Sequence, residues 1–275
     1  MEHIETPHGQ LPKMGLGTFS IPLDQLPETI GNAIALDCNM IDTALLYNNE
    51  AQIGDILQRQ GHHRNAYLLE TKIDGKTIWG TKQMLHLNRI SIRRAYRNAC
   101  RKLKSNHIDI FLIHSPFRHY ERFVKKLNRM KKMGQIQLWG ICNISLERLQ
   151  KLYAQTGIYP DVVQIEVHPY FTNTELVNFC QKNGIIVEAR SPLTHGKALK
   201  EWAKEPVLQN IAQRYEMTIP QVILRWNTQR NIIVLPRTTS MDHMRENVGS
   251  FNFTLSQEDI AAISSLNKNQ SYGVK

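Results

Sequence analysis

The stretch "IDIFLIH", residues 108–114, is apolar on both of its alternating faces except at Asp109, and it ends in a histidine. A strand that is apolar on both faces is buried on both faces, which is the habit of parallel sheets covered by helices. On its N-terminal side lies "RISIRRAYRNACRKLK", where Ile92, Tyr96, Ala99 and Leu103 recur once per helical turn. On its C-terminal side "RFVKKLNRMKKMG" repeats the pattern with Phe123, Leu127 and Met130. Helix, buried strand, helix is therefore the local unit.

Reading outward, the same unit fills the chain. A hairpin is expected over residues 3–12. Strands follow at "MGLGTF", "NMIDTA", "YLLETK", "IDIFLIH", "LWGICN", "VVQIEV", "IIVEAR" and "NIIVLP". Helical patterns fall at about 25–37, 50–60, 88–104, 120–133, 145–155, 173–183 and 205–216, with two more near 241–250 and 256–266. Eight strand–helix repeats predict an α/β fold, a closed (β/α)₈ TIM barrel with a short N-terminal hairpin and extra C-terminal helices. No Pro-, Ser- or Gly-rich linker divides the chain, so residues 1–275 read as a single barrel domain. No GxGxxG follows a strand, which argues against a Rossmann unit.

The composition bounds the function classes. With 41% apolar and 21% charged residues the chain is an ordinary globular one. The N-terminal "MEHIETPHGQ" lacks the apolar core of a secretory signal, and no run approaches the roughly 18 apolar residues of a membrane span. A cytoplasmic protein without a membrane partner is expected. Cys38, Cys100, Cys142 and Cys180 are scattered and read as reduced structural residues, not disulfides or metal ligands. The net charge of +10 favours anionic partners. The Arg93, Arg97 and Arg101 stripe reads as a solvated helix face, and nucleic-acid binding is the weakest of the readings considered.

Barrel enzymes carry their chemistry at the C-terminal ends of the strands. Those ends present Asp42, with Tyr47 shortly after it, Lys72, His114, Asn143, Gln164, the pair Arg190 and Ser191, and Arg237. A phenol with its ordinary pKa of about 10 is a poor acid at neutral pH. A neighbouring ammonium improves it, a carboxylate keeps that ammonium charged, and a neutral histidine can orient a carbonyl. Asp42, Tyr47, Lys72 and His114 thus suit protonation of a carbonyl oxygen. They supply no electrons, so a hydride donor must come from a cofactor.

Taken together, "MGLGTF", "IDTALLYNNEAQIG", "TK" at 71–72, "IDIFLIHSP", "GICN", "VVQIEVHPY", "SPL" and "REN" resemble the aldo-keto reductases in order and spacing across residues 8–267. The resemblance implies that Asp42, Tyr47, Lys72 and His114 are the catalytic four. It implies reduction of aldehydes or ketones with a nicotinamide cofactor, usually NADPH and less often NADH. Gly17, Thr18, Asp42, Arg190 and His243 would border that cofactor, and Asn143 and Gln164 would hold its carboxamide. Ser191 and Leu193 would contact the pyrophosphate, while Arg237, Thr238, Thr239, Glu246 and Asn247 would surround the adenosine end. Phe19, Tyr47, Asp74, His114 and Ser115 would face a small-molecule carbonyl substrate, and a monomer is expected. Glu166 and His168, in the "ExHP" run, read as structural and not as a metal site.

The sequence departs from the family pattern at several points. Arg190 stands where an aromatic residue usually lies under the nicotinamide, and Cys142 where a serine is common. Ser115 and Asp74 replace aromatics that often line the substrate pocket, and His243 replaces a frequent arginine. These changes, with the short "SPFRH" and "NKNQSYGVK" segments, predict an open, polar mouth. Small polar aldehydes, ketoaldehydes or sugars are the expected substrates. A cofactor-binding sensor with negligible turnover is the alternative from a different class.

Overall fold

The computed structural model describes residues 1–7, 9–75 and 91–273. Strands β1 (His3–Thr6) and β2 (Gly9–Pro12) form an antiparallel hairpin. Eight parallel strands follow: β3 (Leu16–Gly17), β4 (Met40–Asp42), β5 (Leu68–Ile73), β6 (Ile108–Ile113), β7 (Ile136–Cys142), β8 (Val162–Glu166), β9 (Ile186–Arg190) and β10 (Ile232–Leu235). They pair in sequence order from β3 to β10. The two end strands then meet. Met14 bridges Val234 in parallel, Gly15 N donates to Val234 O at 3.0 Å, and Gly17 N donates to Pro236 O at 3.0 Å. The ring closes as the eight-strand reading expects.

Gly15 is dictated by that closure. A Cβ there would lie 2.8 Å from Met40 O and 2.9 Å from Leu235 Cδ2, closer than the packing allows. The glycines of "MGLGTF" thus serve a close approach between strands, not a phosphate loop.

Side chains alternate along each strand between the helix layer and the barrel interior. Leu69, Ile113, Ile141, Val163 and Val187 face outward into one large cluster with the helices. Ile110, Leu112, Leu138, Val162 and Ile233 face inward and make a separate, smaller cluster closed by Leu11 of the hairpin. The next inward positions are polar: Glu70 and Lys72 on β5, Gln164 on β8 and Glu188 on β9, all at 2% exposure or less. The interior is therefore apolar at one level and charged at another.

The surrounding helices are α1 (Leu26–Ala35), α2 (Glu50–Arg59), α3 (Ile92–Lys102), α4 (Glu121–Lys132), α5 (Leu146–Thr156), α6 (Thr174–Lys182), α7 (Leu199–Trp202), α8 (Pro206–Arg214), α9 (Ile219–Gln229), α10 (Met241–Gly249) and α11 (Gln257–Ser264). The start of the helix expected over 88–104 lies outside the described residues. In α3, Ile92, Tyr96 and Ala99 are buried while Arg93, Arg97 and Arg101 face solvent. Two helices are additions to the sequence reading, α7 and α9. Every residue from Val222 to Thr228 of α9 is buried, so no polar face reveals its helical period. Its start is nonetheless well marked: Thr218 and Gln221 form a reciprocal capping box with Pro220 in the first turn. Among the described residues no helix is long and apolar enough to cross a membrane.

Candidate functional site

At the C-terminal end of β4, Asp42 is held from its neighbour strand: Thr18 Oγ1 donates to Asp42 O at 2.8 Å, and Asn49 Nδ2 donates to Thr18 O at 3.2 Å. The Asp42 carboxylate pairs with the ammonium of Lys72, which also donates to Thr43 O at 3.0 Å. Lys72 is 1% exposed. Burial pushes it down to about 8, against the pull of Cys142 and Glu188, so it is still mostly charged at pH 7.

Tyr47 ends the 3₁₀ turn Leu45–Tyr47, which Asn48 terminates in the left-handed region at φ 55°. Lys72 Nζ lies 5.5 Å from the centroid of its ring. The His114 ring meets it edge-on at 5.7 Å and Phe19 lies at 5.0 Å. Burial raises the Tyr47 phenol, helped by Cys142 and Glu70 and opposed by Arg190. The cation that lowers the phenol in the resting site is thus Arg190, not Lys72 as expected. His114 is pushed down to about 4, first by burial and then by Lys72, so its ring is neutral at pH 7. Its buried Nδ1 has no partner among the described residues.

Asn143 and Arg190 face this group across the mouth. Asn143 adopts φ 56°, which asparagine tolerates. Its Nδ2 donates to His114 O at 3.0 Å, and its Oδ1 accepts from Arg190 Nε at 2.7 Å. Arg190 Nη2 also reaches Glu166 Oε2 at 3.3 Å. Glu166 accepts further from Ser271 Oγ and Tyr272 N, each at 2.7 Å, and pairs with His168 Nε2 at 3.0 Å. Despite burial, these donors hold its carboxyl down to about 2. Glu166 and His168 are thus tied to each other and to the C-terminal segment.

A cavity of about 700 Å³ begins at Tyr47 and His114 and passes Gln164, Asn143 and Arg190. It continues along Ser191 and Leu193, and ends among Arg237, Thr238, His243, Glu246 and Asn247. Gly17, Phe19 and Asp42 also border it. Thr18, Lys72, Asp74, Ser115 and Thr239 do not; Thr18, Lys72 and Asp74 are buried behind the wall, Ser115 is exposed beyond it and Thr239 is half-buried. The sequence reading did not name Leu46, His195 and Gly196, which also line the cavity. His195 bonds Ser191 Oγ at 2.7 Å and lies 6.0 Å from Phe19. Its signal was the "SPLTHG" loop itself, whose Ser191, Thr194 and His195 all take positive φ. A second cavity, of about 820 Å³, lies across Arg190 and Asn143 between Asn173, Glu166 and Ser271.

These walls fit a nicotinamide dinucleotide in their donor chemistry. Arg237 is exposed and spends one bond on Ser20 O at 3.4 Å, which leaves guanidinium donors for phosphate. Ser240 caps α10 beside it. At the opposite end, the neutral His114 and the Tyr47 phenol bracket the place where a carbonyl would enter.

The family model for the aldo/keto reductase family matches residues 13–268. An uncharacterized oxidoreductase of Bacillus subtilis (strain 168) is 33% identical, with 96% of this chain and 92% of that protein covered. The glyoxal reductase of the same organism is 31% identical at the same coverage. The crystal structure of an aldo/keto reductase from Brucella melitensis superposes with a TM-score of 0.85 at 29% identity, covering 97% of this chain and 99% of that one.

Proposed function

The chain belongs to the aldo/keto reductase family, and from that premise we propose that it reduces small polar aldehydes, ketoaldehydes or sugars with NADPH, Tyr47 delivering the proton. The observation that carries this reading is the convergence of Tyr47, His114, Asp42 and Lys72 at one end of the cavity. The cofactor, when bound, supplies the hydride. The protein's part is to bind, orient and move a proton. Neutral His114 hydrogen-bonds the carbonyl oxygen and holds it beside the phenol. As negative charge develops on that oxygen, Tyr47 gives up its hydroxyl proton. Lys72, kept charged by Asp42, offsets the charge left on the ring.

Polar groups around the mouth, His114, His195, Arg190 and Asn143, support a small polar substrate. The glyoxal reductase among the relatives supports a dicarbonyl. Asp74 and Ser115 are not among the described residues that line the cavity, so the support for a small polar substrate comes from the four groups just named. Arg237, with hydroxyls of Thr238 and Thr239 nearby, is the proposed contact for the 2′-phosphate that distinguishes NADPH from NADH.

The test is turnover of Tyr47→Phe with NADPH and a panel of aldehydes. A loss in kcat of at least about 10²-fold is expected, with the NADPH dissociation constant little changed; near wild-type turnover would refute the assignment. A preference of the wild type for NADH would refute the phosphate contact. A sensor with negligible turnover is the second reading, favoured by the Asn143 amide being engaged at both ends. Multiple turnovers of NADPH oxidation by the wild type would remove it.

A further inference from the structure

Two glutamates that take no part in the proton transfer sit in the middle of the barrel. Glu70 on β5 and Glu188 on β9 are both 0% exposed, and four strand pairings separate their strands around the ring. Gln164 on β8 joins them: its Nε2 donates to Glu70 Oε1 at 2.6 Å and to Glu188 Oε2 at 3.0 Å. Both amide hydrogens are thereby used. Glu70 Oε2 and Glu188 Oε1 meet no other partner among the described residues. Burial pushes both carboxyls up, and their mutual repulsion pushes Glu70 further.

Lys72 does not dissolve this pair. Its Nζ is 3.4 Å from Glu70 Oε1, but its hydrogen bonds go to Asp42 and Thr43.

The consequence lies in the Gln164 side chain. Nitrogen and oxygen of an amide are nearly alike in size, and only their partners decide which way the group points. Two carboxyls on one side demand the N–H₂. Among the described residues the amide oxygen, Oε1, meets only the Cys142 thiol, at 3.8 Å, and Gln164 lines the cavity. Asn143 cannot take over as a free acceptor, since Arg190 holds its Oδ1.

We propose that Glu70 and Glu188 are positioning residues that lock Gln164 with its carbonyl oxygen toward the cavity, so that the site selects a nicotinamide carboxamide through the N–H₂ of that carboxamide. The inference rests on the reading of the cavity as a nicotinamide dinucleotide site.

The test compares the dissociation constants of NADPH and its reduced 3-acetylpyridine analogue, in which a methyl replaces the carboxamide N–H₂, by tryptophan fluorescence quenching of the full chain. The wild type should bind the analogue about 10-fold more weakly, because the methyl leaves Gln164 Oε1 unpaired. Glu70→Gln keeps an acceptor oxygen for Gln164 and should retain that ratio. The double variant Glu70→Leu/Glu188→Leu frees the amide to turn, and its ratio should fall to about 1. If the double variant does not fold, Glu188→Met alone should give an intermediate ratio of about 3. A wild-type ratio near 1 overturns the inference and leaves the proposed function standing. So does a ratio unchanged in the leucine or methionine variant when only the melting temperature moves. Failure of the wild type to bind NADPH removes both.

Discussion

The two levels of the barrel interior are built from the same alternating positions and do opposite work. Toward the hairpin, Ile110, Leu112, Leu138, Val162 and Ile233 pack with Leu11 into an apolar plug. Toward the mouth, two residues beyond Met40, Leu68, Leu112, Val162 and Ile186 of that cluster, stand Asp42, Glu70, His114, Gln164 and Glu188, with Lys72 two residues past Glu70. The plug can be written with many apolar residues of the right volume. The charged level cannot, because each buried polar group there depends on a partner from another strand. The proposed chemistry sits in one level, while stability draws on both.

The sharpest way to break that division is Lys72→Met. It removes the buried ammonium that pairs with the Asp42 carboxylate and leaves Asp42 buried without it. Turnover should fall by at least about 10²-fold, and stability by about 3–5 kcal/mol, the usual cost of removing one partner of a buried pair. Steady-state kinetics and chemical denaturation measure the two. A variant as stable as wild type would show that Asp42 is satisfied by other groups.

In the plug, Ile110→Ala should cost about 2–5 kcal/mol in denaturation midpoint analysis. The kcat of the protein that remains folded should change less than about 3-fold, since no charged group moves by a full hydrogen-bond length. A collapse of kcat would show that the two levels are mechanically coupled.

The pH profile sharpens the comparison from the other side. Lys72 titrates at about 8, so kcat should fall about tenfold per pH unit well above that value as its charge is lost. Because the fold lowers this pKa, the lysine opposes stability while it is charged, and that penalty fades as pH rises from about 8 toward the unfolded value. Activity and this contribution to stability should therefore run in opposite directions. His114, at about 4, should give no inflection between pH 5 and 7.

The smallest expected effect belongs to Arg190. A guanidinium beside an oxidised, cationic nicotinamide should weaken NADP⁺ relative to NADPH, but Glu166 at 3.3 Å offsets much of its charge. Arg190→Tyr should tighten NADP⁺ relative to NADPH by about 3-fold, an effect of surface-pair size. Equal shifts in both dissociation constants would place the guanidinium away from the ring.

Much of this was legible in the sequence, for definite reasons. Apolar runs such as "IDIFLIH" gave the strands, and strand ends gave Asp42, Lys72 and His114, since in a barrel all those ends share one face. The tightly buried α9 was not legible, because a helix with no solvent face has no contrast to display. Glu70 and Glu188 were visible as acids within strand patterns. Their meeting across the ring depends on which strands lie opposite one another, which is a property of the closed barrel and of no local stretch. The binding of Glu166 by Ser271 and Tyr272 joins positions more than a hundred residues apart and leaves no periodic trace.

The closure of the ring has a consequence for the chain as it is synthesised. The seam joins Lys13, Gly15 and Gly17 to Val234 and Pro236, and Glu2 is bound by Arg225 at 2.5 Å. The first barrel strand therefore waits for the last before its free edge is paired. Until residues 232–236 leave the ribosome, a nascent chain carries an open strand edge and a charged interior that water can enter. Such edges recruit other chains. Chaperone demand during translation should accordingly be set by the arrival of β10, and a stall just before it should be more aggregation-prone than one just after.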